Sequence, residues 1–147
     1  MRISIQNRQK RILLNLKKVR SATQRILTEL GLLDAELSVL LVDDARIRDL
    51  NRRYLNRDKP TNVLAFPMRE GEFSTLHPNL LGDLVISVET AKRQSDRFGL
   101  DEMEMVILLM VHGVLHLIGY KHEGTKKGGR EMSLKQKELF RIATQKV

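Results

Sequence analysis

Cysteine and tryptophan are absent from this 147-residue chain, and only three prolines occur. Without cysteine there is no disulfide and no thiolate metal ligand, and a reducing cytoplasm is the expected setting. Aromatic residues are scarce, with two Tyr and four Phe, which leaves little for extensive stacking of nucleic-acid bases. Long apolar runs are missing too. The longest, Met105 to Val111, has seven residues, against the roughly 20 of a membrane-spanning helix. The N-terminal stretch MRISIQNRQKRILLNLKKVR never sustains the apolar core of a secretory signal. No membrane association is expected. With 41% hydrophobic and 30% charged residues, the chain reads as one globular domain over residues 1–147.

What is abundant is positive charge, a net +8. Residues 1–30 carry eight basic side chains against one acidic, and residues 121–147 carry eight against three. The middle of the chain is mildly acidic, with ten basic side chains against fourteen acidic. Basic ends of this kind attract a phosphate backbone without reading its sequence, or simply solvate the surface.

Periodicity predicts alternating strands and helices. Ile3 and Ile5 alternate with polar neighbours as in a short strand. Ile12, Leu16, Val19, Thr23, Ile26 and Leu30 recur at helical spacing and stop at Gly31, with Lys10, Arg11, Lys17, Lys18 and Arg25 on the opposite arc. ELSVLLV, residues 36–42, reads as a central strand. Asp43 offers a cap to a helix carrying Ile47, Leu50 and Tyr54. Residues 63–66 lie between Pro60 and Pro67, which favours an edge strand, because proline donates no ladder hydrogen bond. Pro60, Thr61 and Asn62 make the turn into it, with Asn62 also a candidate rim contact. Residues 67–81 read as a loop, 82–88 as a strand with Asp83 capping its start, and 89–98 as a helix. Asp101 and Glu104 form a capping-box pattern ahead of MVILLMV, an all-apolar helix suited to the middle of the core. A last helix is expected over residues 130–145.

That apolar helix runs into HGVLHLIGYKH, residues 112–122, which holds three of the four histidines. His112 and His116 are four apart, so their rings lie on one helical face and can reach one ion. His122 can join them only if the chain turns back. Gly119 supplies the residue that enters the left-handed region and reverses direction. This is the metzincin spacing of zinc proteases with Gly113 in place of their glutamate. A lone histidine on an apolar helix is usually a satisfied core residue, whereas three at this spacing point to a metal. Zinc suits three imidazoles and an open fourth position. Nickel, copper and iron remain open by ligand type.

HGVLHLIGYKH resembles the signature of the YbeY family, the bacterial endoribonucleases of ribosomal RNA maturation. LNRRYLNRDKPTNVLAFP is similar to the family's second block and LGDLVISVETA to its third, so the resemblance covers nearly the whole chain. It implies an α+β fold, a four-stranded mixed sheet with helices packed around a central buried helix, and a metzincin-like metal site. It further implies one zinc ion held by His112, His116 and His122. The implied substrate is single-stranded RNA, in maturation and quality control of the small ribosomal subunit. Two positions depart from the family pattern. Lys121 stands where an Asp typically precedes the third histidine. Leu55 stands where an arginine commonly follows the aromatic residue of the second block. Arg57, two residues on, is the candidate catalytic guanidinium, the plainer alternative being one more exposed arginine.

Zinc can lower the pKa of bound water far below its bulk value, to about 7, without help from a carboxylate. Amide hydrolysis also needs proton delivery to a poor leaving group, and Gly113 cannot provide it. A phosphodiester is an anion whose developing charge a cation stabilises directly. Glu123, beside the last histidine, is either a base or an exposed loop acid. Three readings follow in order: a metal-dependent endoribonuclease, a non-catalytic zinc-stabilised RNA-binding factor of ribosome assembly, and a metalloprotease. If basic side chains hold RNA, log affinity for single strands falls with log salt at about −0.7 per phosphate contact. Fluorescence anisotropy across a salt series measures this, and a flat response removes the basic surface as an RNA platform.

Overall fold

The computed structural model describes residues 1–68, 79–120 and 126–145. Among these, four strands form one mixed sheet in the order β1-β2-β4-β3. β1 (Arg2–Asn7), β2 (Glu36–Val42) and β4 (Leu80–Ser87) run parallel, and β3 (Val63–Pro67) pairs antiparallel with β4 at the edge. The proline-flanked segment therefore takes the position where a missing N–H is tolerated. The helices are α1 (Leu16–Glu29), α2 (Asp44–Leu55), α3 (Val88–Ser95), α4 (Glu102–Leu117) and α5 (Lys126–Thr144). This is the mixed α+β architecture that the family resemblance implies, built from strands and helices that the residue periodicity predicts.

Strand alternation sorts the apolar residues into two layers. Leu37, Val39, Leu41, Leu84 and Ile86 point into the main core with α1, α4 and α5. Val42, Leu64 and Val85 point to the opposite face, where Ile47 of α2 closes a smaller cluster. α4 is buried nearly all round, from Met105 to Leu117, so it is the central helix. Each such Leu, Ile or Met side chain contributes about 1.5–3 kcal/mol of burial. The Asp101–Glu104 capping box is present, with both reciprocal bonds made, and it fixes where α4 begins.

Several boundaries differ from the sequence pattern. α1 starts at Leu16 rather than near Lys10. The buried Gln9 side chain bonds both the N–H (2.9 Å) and the carbonyl (2.7 Å) of Ile12. It thereby takes the backbone groups a helix would use, and Asn15 caps instead. β4 begins at Leu80, where a bulge opposite Glu36 and Leu37 accommodates the buried Leu81. α3 opens at Val88 on a Ser87 cap and ends at Ser95, followed by a 3-10 turn over Asp96–Phe98. α5 begins at Lys126, four residues earlier than its apolar stripe predicts. Asp83 does not cap a strand start: it is exposed in mid-strand, opposite Ser38 and Phe66.

One polar hub ties α2 to the sheet. Ser87 and Thr90 each donate a 2.6 Å hydrogen bond to Asp44 Oδ1, and Arg93 Nη1 lies 2.7 Å from Oδ2. Glu89 accepts from the Asp44 N–H at 2.9 Å and pairs with Arg11. Burial pushes the Asp44 carboxyl up, but the bonds from Arg93, Ser87 and Thr90 and the Arg93 charge outweigh it, holding the group below the usual carboxylate range. A depressed folded-state pKa stabilises the fold above the ordinary value near 4, and that stabilisation is lost as pH falls through the folded value. Asp44→Ala is expected to cost about 1–3 kcal/mol at neutral pH, through donors left unpaired. The deficit should shrink in acid. Urea denaturation at pH 7 and below pH 4 measures it, and a pH-independent deficit rules out a contribution from the carboxylate charge.

Candidate functional site

His112 and His116 sit in the last turns of α4, both half-buried, on the helix face that opens toward β3 and α5. Their Nε2 atoms are 3.1 Å apart, with the rings steeply inclined at 75°. Two nitrogens that bind one tetrahedral zinc at 2.0–2.1 Å stand roughly 3.3 Å apart. The observed spacing fits a shared cation. At the far side of its ring, His112 Nδ1 lies 2.7 Å from Gln136 Oε1 of α5. Sequence reasoning missed Gln136. Its signal was a polar residue inside the stripe Met132, Leu139, Ala143, whose three apolar members are buried.

The helix ends as its glycine predicts. Gly119 has φ +104, its N–H bonds His116 O at 3.1 Å, and the Tyr120 N–H bonds Leu115 O at 2.9 Å. These are the two bonds of a Schellman ending, and they turn the chain out of the helix axis. His122, Lys121, Glu123 and the spare His77 lie outside the described residues. Among the described residues no group of three His, Cys, Asp or Glu side chains is assembled. The described site is thus the imidazole pair.

Gly113 faces the sheet. A β-carbon there would stand 2.6 Å from Leu84 Cδ2 and 3.3 Å from Val63 Cγ2. The residue is a close-approach contact between α4 and β3/β4, in a place where a glutamate carboxylate would enter the apolar core.

Beside His116 opens a cavity of about 470 Å³ whose walls include Arg57, Lys59, Thr61, Pro67 and Tyr120. Leu55 also lines it. Arg57 and Lys59 come from the segment after α2, which two contacts fix. The buried Asn51 side chain donates to Lys59 O at 2.9 Å, and Arg48 Nε bonds Asp58 Oδ1 at 2.9 Å. That guanidinium's hydrogen bond and charge hold Asp58 below the usual carboxylate range. Asn56, with φ 56, makes the turn at the end of α2. Asn51 was legible only as an asparagine on the buried side of a helix. Among the described residues, the cations lining this cavity come from mid-chain and from neither basic end. On α1, Arg20 and Arg25 donate to the backbone carbonyls of Ile3 and Gln145. Asn62 bonds Gln94 at 3.2 Å and accepts from the Ser87 N–H, so its observed contacts tie the turn to α3 and β4.

The class these features define is an α+β protein whose central helix carries a pair of imidazoles, one of which, His116, lines a cavity that also holds Arg57 and Lys59 beside the edge strand. The chain belongs to the YbeY family: the sequence profile described as Endoribonuclease YbeY matches residues 4–143. The protein named Endoribonuclease YbeY from Syntrophotalea carbinolica is 48% identical over 139 residues, covering 94% of this chain and 93% of the relative. The protein of that name from Geobacter metallireducens is 43% identical over 143 residues, covering 97% and 95%. The solution structure of TM1509 from Thermotoga maritima superposes with a TM-score of 0.69 at 26% identity, covering 96% of this chain and 88% of that one.

Gly113→Glu is expected to destabilise the fold by more than about 3 kcal/mol, since an unpaired carboxylate enters the core. Gly113→Ala should cost far less, because helix propensity gains about 1 kcal/mol against the strain of moving Leu84. Thermal denaturation compares the two, and a Gly113→Glu protein as stable as the wild type would show that this position does not face the core.

Proposed function

We propose that the protein is a zinc-dependent endoribonuclease that cuts single-stranded ribosomal RNA during small-subunit maturation in the cytoplasm. The relatives' shared name supports the endoribonuclease activity. The observation that carries the site assignment is the Nε2 pair, 3.1 Å apart, with His116 lining a cavity that Arg57 and Lys59 also line. His112 and His116 would hold the ion with His122 as the third ligand. When bound, zinc supplies an activated water near neutral pH and a positive charge at the reacting phosphate.

The chain's own residues do the remaining work. Arg57 presents a planar fork of donors to phosphate oxygens, and Lys59 adds a second charge to the same cavity. Both are exposed on a segment already fixed to α2, so little ordering is left to binding. Arg57 takes the part of the guanidinium displaced from position 55, where Leu55 lines the same cavity instead. Tyr120 and Thr61 offer hydroxyls at the rim for sugar or phosphate oxygens.

His116→Ala should lower zinc content from one ion per chain, and cleavage of single-stranded RNA should fall by roughly a hundredfold or more, as when one charge-stabilising group is removed. Elemental analysis and gel-resolved cleavage read both. Unchanged metal content defeats the site assignment, and unchanged cleavage in nuclease-free preparations defeats the enzymatic reading.

A further inference from the structure

We propose that Gln136 is a positioning residue for the metal site: its side-chain oxygen fixes the tautomer and orientation of His112. The inference rests on the zinc reading given above. Three observations lead to it. The His112 Nδ1 to Gln136 Oε1 distance is 2.7 Å, a short hydrogen bond. The opposite ring nitrogen, Nε2, is the one directed at His116 Nε2, 3.1 Å away. Gln136 itself is held in place, because Met132 and Leu139 on the same stripe of α5 are 3% and 0% exposed in the core shared with α4.

The chemistry follows from which nitrogen carries the proton. An amide oxygen only accepts, so the bond places hydrogen on Nδ1 and leaves the Nε2 lone pair for a cation. A reversed amide would donate to Nδ1 and drive the proton onto Nε2, blocking the ligand position. The amide is also neutral. A carboxylate at the same place would make the same bond while making the imidazole more basic and adding negative charge beside the ion. Glutamine thus orients the ring and leaves more of the cation's charge for an anionic substrate. α5 becomes part of the site through this one bond, though it contributes no described ligand.

The test uses Gln136→Met, of similar length and without an acceptor, and Gln136→Glu, which keeps one. Zinc affinity is read by competition with a chromophoric chelator. The His112 tautomer is read by long-range proton–nitrogen NMR on the metal-free proteins. Wild type is expected to show His112 protonated at Nδ1. Gln136→Met is expected to show mixed tautomers and to bind zinc roughly 10–100-fold more weakly. Gln136→Glu is expected to bind at least as tightly as wild type. Wild-type His112 protonated mainly at Nε2 overturns the proposal whether or not either variant folds. So does a folded Gln136→Met protein with wild-type zinc affinity. In that case wild type still binds zinc and the zinc reading stands, whereas a wild type that binds no zinc removes both.

Discussion

The site depends on how closely the central helix lies on the edge of the sheet. Two glycines permit that approach, one on each partner. Gly113 lets α4 meet Leu84 and Val63 without a side chain between them. Gly82 lies in β4 at φ +141, where a β-carbon would fall 3.1 Å from Leu117 Cδ2 and collide with the Phe66 carbonyl. The helix therefore runs along the β3–β4 pair and brings His116 to the cavity beside β3. A helix held further out would still carry two histidines four residues apart, but the second would not line that cavity.

Around this contact the protein uses a small number of polar bonds to hold what packing alone would leave loose. Asp44 gathers Ser87, Thr90 and Arg93, so α2 cannot pivot on its small apolar cluster. From further along α2, Asn51 and Arg48 reach forward to fix the segment bearing Arg57 and Lys59. Gln136 does the corresponding job for His112. Each bond joins residues from different elements or from the two ends of a loop. Each acts on orientation, the property a catalytic groove needs and hydrophobic burial does not specify. The acid-sensitive hub and the imidazole pair lie on different elements, so the stability of the fold and the chemistry of the groove can be disturbed separately.

The fold was largely legible from residue patterns, for identifiable reasons. Prolines at 60 and 67 placed β3 at an edge, and the capping box at Asp101 placed the start of α4. The boundaries that moved did so where a side chain overrode the period: Gln9 clamping Ile12 ahead of α1, and Leu81 burying itself at a bulge. Within the site, the four-residue spacing and the Gly119 reversal were both readable, since each is a local property of one helix and its end.

The amino-acid order alone set the spacing of the histidines, the glycine exit from the helix and the family to which the chain belongs, because these are written within short, contiguous stretches. The tertiary structure decided what those stretches face. It turned Gly113 from a missing base into a packing contact, placed Arg57 and His116 around one cavity, and paired Gln136 with a ring 24 positions away. Contacts between separate elements depend on the distance at which helix and sheet come to rest, and that distance is fixed by close packing of side chains remote in the chain.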